Sequence, residues 1–232
     1  MGICAIWGAP RAGKTTLAVN LAYGISRGDK TVCLISPVDY SELSALLNVK
    51  IPEERSLRAA LQGRTGIRQA VFKVDDLLYV LAMPVTANAF DNDCSSEQVK
   101  RLLDLARSTF DFVLVDCPSQ PSNLIAAWSL NKAEKVLLCV GGHASCVPWH
   151  RANKQALQTI RNKTVYVSSE VSQSLDYTAM HKLLKYTPDV RIPYMREAVL
   201  LQNEERFLFG VSGRRGRKYS KSINQLYEAV NK

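Results

Sequence analysis

The 232-residue chain lacks several features that would assign it to a protein class at once. No apolar run approaches the roughly 20 residues that a membrane-spanning helix needs. The opening "MGICAIW" has no basic residue ahead of its apolar run, so we expect no signal peptide. Six cysteines are present without a C-x-x-C pair, and Cys4, Cys33 and Cys139 lie within apolar runs typical of buried strands. We therefore predict reduced core thiols in a cytoplasmic protein rather than disulfides or a zinc site.

Histidine is also scarce, and internal repeats and low-complexity linkers are missing. His143, His150 and His181 show no paired spacing for a metal or for nucleophilic catalysis, so we predict core or surface roles. The composition is 47% hydrophobic, which suffices for a substantial core. We expect one domain over residues 1–232.

Basic residues outnumber acidic ones, 30 to 21, and the net charge of +9 suits contact with nucleic acid or an anionic membrane surface. One basic cluster lies in "GVSGRRGRKYSK", residues 210–221, which we predict to be a surface loop before a closing helix near 220–231. The cluster either grips DNA phosphates or lipid head groups, or is a solvated loop; both alternatives stand. Its members are Arg214, Arg215, Arg217, Lys218 and Lys221.

The closing helix is predicted to pack on a core. Ile223, Leu226, Tyr227 and Val230 recur at the spacing of one helix face. We therefore expect no stable membrane anchor through this end of the chain.

Strand-like apolar runs alternate with helical patterns, which indicates βαβ units and a parallel sheet. We predict an α/β fold with a mostly parallel β-sheet and helices on both faces. The predicted strands are "GICAIWG", "TVCLISP", "LLYVLAMP", "FDFVLVDCP", "KVLLCVG" and "KTVYVSS". The predicted helices include "KTTLAVNLAYGISRG", "SEQVKRLLDLARSTF" with a cap near Ser95 or Ser96, and residues 148–161.

Residues 8–15 satisfy the phosphate-loop pattern G-x-x-x-x-G-K-[ST] between an apolar strand and a periodic helix. Such a loop turns backbone N–H groups toward a polyphosphate, and the helix adds its positive N-terminal end. Lys14 is predicted to reach the β- and γ-phosphates, and the Thr15 hydroxyl to ligate Mg²⁺. The predicted nucleotide-binding residues here are Gly8, Ala9, Pro10, Arg11, Ala12, Gly13, Lys14, Thr15 and Thr16.

A carboxylate should complete this site. "FDFVLVDCP" ends a buried strand with Asp116, and open α/β sheets bind ligands at the carboxyl ends of their strands. We predict that Asp116 and Thr15 hold Mg²⁺, in the Walker-B arrangement, and that Lys14 and Asp116 take part in catalysis.

"GKTTLAVNLA" followed by "VLVDCPSQ" resembles the ParA/MinD group of P-loop ATPases, which have a deviant Walker-A loop. The resemblance extends over nearly the whole chain, and the spacing is most similar to the CpaE/TadZ branch, which positions pilus-assembly machinery. It implies ATP and Mg²⁺ as cofactors and an ATP-dependent homodimer that acts on protein machinery. "RIPYMREAVLLQNEERFLF" resembles the family's late strand and loop near the base, which implies that Pro193 and Tyr194 border the base.

The loop departs from the family pattern in its middle. The family's early lysine, which reaches across the dimer to the partner's phosphates, falls on Ala9, and Pro10 and Arg11 replace two glycines. Pro10 removes one N–H donor. Arg11 carries a permanent cation that either replaces the lysine across the dimer or is simply solvated.

The second departure lies in the family's D-x-D-x-Q stretch, which falls on residues 36–40, Ser-Pro-Val-Asp-Tyr. Val38 cannot orient an attacking water as the family's second aspartate does. Asp39 is one residue out of register, and we keep it as a candidate catalytic residue; Ser36 offers a hydroxyl to the metal shell. Asn20 is either near a dimer interface or an ordinary helix-face residue. We expect ATP to be bound and turned over slowly, or only with a partner.

The sequence thus supports three functions. The first is a weakly hydrolysing ATPase switch that positions pilus- or secretion-type machinery from the cytoplasm, with recruitment to membrane machinery or the nucleoid. The second is a ParA-type partition ATPase that binds DNA non-specifically. The third is a metabolic P-loop ligase of the dethiobiotin-synthetase type, for which we identify no acid-substrate pocket.

Overall fold

The structure, a computed structural model, describes residues 2–38, 42–85, 94–120 and 122–231. Asp39 and Tyr40 therefore lie outside the described residues. Within the described ranges the chain forms one eight-stranded sheet. Its strands are β1 (Ile3–Gly8), β2 (Val32–Ser36), β3 (Phe72–Asp75), β4 (Leu78–Ala82), β5 (Phe112–Asp116), β6 (Lys135–Val140), β7 (Thr164–Ser169) and β8 (Val190–Ile192).

Helices connect most of these strands. They are α1 (Lys14–Ser26), α2 (Leu43–Leu46), α3 (Leu57–Leu61), α4 (Ile67–Ala70), α5 (Ser96–Thr109), α6 (Leu124–Lys132), α7 (Cys146–Ala152), α8 (Lys154–Thr159), α9 (Tyr177–Leu184), α10 (Ala198–Asn203) and α11 (Gly213–Val230). Two short 3-10 helices cover Glu53–Arg55 and Arg161–Lys163.

The strand order is β3-β4-β2-β5-β1-β6-β7-β8, and every neighbouring pair is parallel except the antiparallel pair β3–β4. This arrangement confirms the predicted α/β class. It also places the end of β1, where the phosphate loop begins, between the carboxyl ends of β5 and β6. Ligands of open α/β sheets bind at such an edge.

Each face of the sheet is covered by its own core, because successive side chains of a strand point to opposite faces. In β1, Cys4 and Ile6 join the core beneath α1 and α11, whereas Ala5 and Trp7 join the core beneath α3 to α6. Both predicted helix layers are therefore present.

Several predicted elements are confirmed. All six predicted strands are present to within two residues at each end, and α5 begins with a capping box between Ser95 and Gln98. Ile223 and Leu226 of α11 are fully buried against α1 and its core, as the helix-face spacing predicted.

Three expectations need correction. The helix predicted over 148–161 is divided into α7 and α8 at Asn153, whose side-chain amide donates to the Trp149 carbonyl (2.9 Å). Phe72–Asp75 forms an edge strand that we did not predict. The basic segment predicted as a loop is helical from Gly213 onward.

The predicted core positions of Cys4, Cys33 and Cys139 are confirmed, since all three side chains are buried. None of the six cysteines forms a disulfide, and burial raises the pKa of Cys4 and Cys139 to about 12. Across the described ranges, no group of three or more metal-ligating side chains is assembled. In the same ranges, no helix combines the length and apolarity required to cross a bilayer.

Candidate nucleotide-binding site

The phosphate loop leaves β1 at Gly8 and enters α1 at Lys14. Two of its glycines have positive φ, +152° at Gly8 and +75° at Gly13. A Cβ at Gly8 would collide with the Cys139 carbonyl oxygen, and one at Gly13 would lie 2.7 Å from Ser169 Oγ. Both positions therefore require glycine for conformation and for space.

Lys14 extends across the loop. Its Nζ donates to the carbonyl oxygen of Ala9 (3.1 Å) and to Oγ of Ser119 (2.8 Å), which follows β5. The indole Nε1 of Trp149 on α7 in turn donates to the Ser119 carbonyl (2.8 Å). The lysine predicted to contact phosphate is thus held by neutral acceptors that a phosphate would displace.

Thr15 and Asp116 meet as the sequence predicted. The Thr15 hydroxyl donates to Oδ2 of Asp116 (2.7 Å), and Asp116 is only 4% exposed. Burial raises the pKa of Asp116 to about 6, and the Glu42 charge adds to this, against the Thr15 hydrogen bond and the Lys14 charge.

A cavity of about 590 Å³, which we call the Lys14 cavity, joins these groups. Its lining residues are Pro10, Arg11, Lys14, Thr15, Ser36, Pro37, Val38, Glu42, Asp116, Cys117, Pro118, Ser119, Gln120 and Asn123. A hydroxyl and a desolvated carboxylate side by side are oxygen ligands of the type that Mg²⁺ takes, and a cation would offset the burial of Asp116. The residues present therefore fit a Mg²⁺–nucleotide.

A second cavity of about 230 Å³, the Thr16 cavity, lies on the other side of the first turn of α1. Gly13 and Thr16 line it together with Pro193 and Tyr194, so the two residues expected near the base do lie beside the loop. Gln202 of α10 donates from Nε2 to the Thr16 hydroxyl (2.8 Å). The loop thus separates a polar cavity from one lined largely by apolar side chains, which include Leu17, Val171, Ile192, Met195 and Leu208.

The unusual residues of the loop divide into two groups. Ala9 and Ala12 are fully buried, and Ala9 packs with Val140, Cys146 and Met180. The Ala12 N–H donates to the Ala9 carbonyl (3.3 Å). Position 9, where the family has its cross-dimer lysine, therefore points into the core here. Pro10 and Arg11 are exposed, and Arg11 adopts φ +60°.

The segment after β2 also lines the Lys14 cavity, through Ser36, Pro37 and Val38. Asn123, which caps α6, donates from Nδ2 to the Pro37 carbonyl (3.3 Å) and so ties this segment to the region after β5. Val38 offers no polar group to the cavity, as expected. The candidate catalytic residue Asp39 lies outside the described residues.

Asn20 is neither of the two alternatives that the sequence suggested, a residue near a dimer interface or an ordinary helix-face residue. It is 2% exposed, and its Oδ1 accepts hydrogen bonds from the backbone N–H groups of Leu208 (2.6 Å) and Phe209 (3.0 Å). Its Nδ2 donates to the Thr16 carbonyl (2.8 Å). It is therefore an internal tie between α1 and the segment before α11, because a side chain bonded in this way is not available to a partner.

The basic cluster lies in the first half of α11 rather than in a loop. Arg214, Arg215, Arg217, Lys218 and Lys221 are all exposed on this helix, and Arg215 pairs with Glu197 at 3.6 Å. Position 216 in this helix requires glycine, because a Cβ there would collide with the Val211 carbonyl. Arg215 and Lys218 also border an open cleft of about 670 Å³ with Arg191.

Sequence reasoning missed Ser119, Glu42 and Gln202 as site residues. Ser119 had one available signal, its position three residues after Asp116 at the carboxyl edge of the sheet. No local pattern marks Glu42, which lines the Lys14 cavity, or Gln202, which bonds to Thr16, because both approach the site from parts of the chain distant from the loop.

A parallel sheet with a glycine-shaped loop, a loop lysine and a threonine–aspartate pair defines a P-loop nucleotide-binding protein. The family model described as an AAA domain matches residues 11–164. The septum site-determining protein MinD of Bacillus subtilis (strain 168) is 30% identical over 111 residues, which cover 46% of this chain and 41% of that protein.

Two solved structures share the fold. The cell division ATPase MinD of Pyrococcus furiosus has a TM-score of 0.77 and 21% identity, over 100% of this chain and 99% of that chain. MinD of Pyrococcus horikoshii OT3 complexed with Mg-ADP has a TM-score of 0.77 and 18% identity, over 100% of this chain and 96% of that chain. The chain belongs to this AAA-domain family and is a ParA/MinD-type P-loop ATPase by sequence and fold.

Proposed function

We propose that this chain binds Mg²⁺–ATP in the Lys14 cavity and acts as a weakly hydrolysing dimerisation switch that positions other cellular machinery. The observation that carries the proposal is the convergence of Lys14, Thr15 and Asp116 on one cavity of about 590 Å³. Lys14 would exchange its contacts with Ala9 and Ser119 for phosphate oxygens. Thr15 and Asp116 would hold Mg²⁺, which neutralises charge on the β- and γ-phosphates when bound.

The base is proposed to occupy the Thr16 cavity, between the loop and Pro193–Tyr194. Apolar groups on β8 and α10 suit the faces of a flat ring, and Thr16 lines the same cavity. The Mg-ADP complex of the horikoshii MinD supports this choice of ligand.

Slow turnover is proposed because Val38 presents no carboxylate where the family has its second aspartate. A positioning role is supported by the relationship to a septum site-determining protein. Pilus- or secretion-type machinery as the partner, and a cytoplasmic location, rest on the resemblance in spacing alone. Pilus or secretion genes beside this one would support that choice of partner.

Calorimetric titration with ATP tests whether the nucleotide binds through Lys14. Lys14→Ala removes a charge-assisted contact worth about 1.5–3 kcal/mol, so ATP affinity should fall roughly tenfold to over a hundredfold. Lys50→Ala, at an exposed lysine outside the cavity, serves as the control. Equal affinity of Lys14→Ala and the parent would refute the proposal, and parent turnover near a typical enzyme rate of about 10 per second would refute the weak hydrolysis.

A second candidate, non-specific DNA binding, is favoured by the exposed cations of α11. Fluorescence anisotropy with random duplex DNA, with and without ATP at two salt concentrations, tests it. Binding that weakens steeply with salt and is lost in Arg217→Glu/Lys218→Glu would support it. The described residues offer no observation in favour of the metabolic ligase.

A further inference from the structure

The Lys14 cavity contains a carboxylate that the loop, the Walker-B strand and the family pattern do not account for. Glu42 lines the cavity from the residue immediately before α2. Its carbonyl accepts hydrogen bonds from the N–H groups of Ala45 (3.1 Å) and Leu46 (2.9 Å), and the next residue, Leu43, is fully buried. The first turn of α2 therefore fixes where the Glu42 side chain begins.

Among the described lining residues, Glu42 and Asp116 are the two carboxylates. They differ in their surroundings, since Asp116 is buried and bonded to Thr15 while Glu42 is exposed to solvent. Both groups line the same cavity. Asp116 is thus committed to Thr15 and a cation, whereas Glu42 is accessible to a water molecule.

We propose that Glu42 orients the water that attacks ATP, the role that Val38 cannot take. This inference rests on the proposed function. The water oxygen bonds to the γ-phosphorus, the bond to the β,γ-bridging oxygen breaks, and its electron pair leaves on ADP. One water proton stays on the oxygen that joins the phosphate and the other passes to a second oxygen of the same phosphate, so that both end on the inorganic phosphate; Glu42 accepts a hydrogen bond from the water during attack.

With Glu42 in this role, we expect turnover to be slow without being absent. Glu42, immediately before α2, reaches the cavity through a longer side chain than an aspartate at position 38 would. It therefore has more rotamers to lose before the water is aligned.

Glu42→Gln keeps the shape and removes the charge. Single-turnover hydrolysis should fall by at least roughly tenfold, while ATP affinity measured by calorimetry stays within about twofold. The lifetime of the ATP-dependent dimer should increase in proportion to the fall in hydrolysis. Light scattering measures this lifetime independently of product formation. Glu54→Gln, at an exposed glutamate of the 3-10 helix outside the cavity, is the matched control.

A rescue experiment distinguishes a role of Glu42 in orienting water from a purely structural role. Val38→Asp placed in the Glu42→Gln background should restore turnover above that of Glu42→Gln alone, because it returns a carboxylate to the cavity. Hydrolysis by Glu42→Gln at the parent rate overturns the inference, as does loss of ATP affinity in step with the rate. So does a parent that binds ATP without turnover. A parent that binds no ATP refutes the proposed function first, and is recognised by the titration alone.

Discussion

Lys14 donates a hydrogen bond of 2.8 Å to the hydroxyl of Ser119, although 105 residues separate them in the chain. The same ammonium also contacts the Ala9 carbonyl. The lysine of the phosphate loop is therefore held by the loop and by the segment after β5, and a phosphate must compete with both contacts.

Ser119→Ala should strengthen nucleotide binding, because it removes one of these competing contacts. A hydrogen bond to a charged group contributes about 1.5–3 kcal/mol and a neutral one about 0.5–1.5 kcal/mol, and solvation of the freed ammonium offsets part of this. We expect ADP affinity to rise about two- to tenfold by calorimetry. Ser122→Ala, at an exposed hydroxyl nearby, should leave it unchanged. Weaker binding by Ser119→Ala would mean that Ser119 itself contacts the phosphates.

Asp116→Asn should stabilise the nucleotide-free protein at alkaline pH. The pKa of Asp116 is about 6 in the folded protein, above the ordinary value of 3.8. The protonated carboxyl therefore contributes its full stabilisation of the parent below pH 3.8, and this contribution is lost as the pH rises through 6. The shift corresponds to about 3 kcal/mol, and thermal unfolding at pH 8 should show a midpoint higher by roughly 5–10 °C in the variant. At pH 4 the two proteins should unfold alike.

Asp111→Asn provides a control for which we expect the opposite change in stability. Hydrogen bonds from the N–H and hydroxyl of Thr31 hold the pKa of Asp111 below its ordinary value. Its contribution is present above pH 3.8 and is lost as the pH falls below that value. The substitution should therefore destabilise at neutral pH. A gain in stability from both variants would show that net charge, and not the Asp116 site, is responsible.

Asn20→Ala should destabilise the fold, because the N–H groups of Leu208 and Phe209 lose their acceptor. Each unsatisfied buried donor costs about 1–3 kcal/mol, so we expect a loss of roughly 2–5 kcal/mol in urea unfolding. Asn203→Ala, at an exposed asparagine of α10, should change stability by less than about 0.5 kcal/mol. Similar small effects in both variants would contradict the internal tie.

Arg11 is an exposed cation two residues after the buried Ala9. We expect ATP with Mg²⁺ to shift the protein toward a dimer, and Arg11→Ala to weaken this shift more than it weakens ATP binding to the monomer, because the guanidinium would contact the partner's phosphates. Light scattering with ATP, ADP and no nucleotide measures the shift, and Arg68→Ala, at an exposed arginine of α4 that does not line the Lys14 cavity, is the control. A single mass in all three states, or full dimerisation of Arg11→Ala, would contradict this role.

The sequence by itself determined the β1–loop–α1 unit, the pairing of Thr15 with Asp116 at the sheet edge, and the class of fold. These features depend on local signals: a contiguous glycine–lysine pattern, apolar runs of strand length, and a carboxylate at a strand end. The geometry of a parallel sheet then carries Asp116 to the loop without further information, because β5 and β1 are neighbours.

Only the tertiary structure decided which distant residues meet the loop. Glu42 lies immediately before α2, Ser119 follows β5 and Gln202 belongs to α10, and no local periodicity encodes their approach to the site. The start of α11 was decided in the same way: its glycines and serines favour a loop locally, but burial of Tyr219, Ile223 and Leu226 against α1 and its core favours the helix. Packing free energy outweighs helix propensity there, because propensity differences amount to about 1 kcal/mol per residue or less while each buried side chain contributes about 1.5–3 kcal/mol.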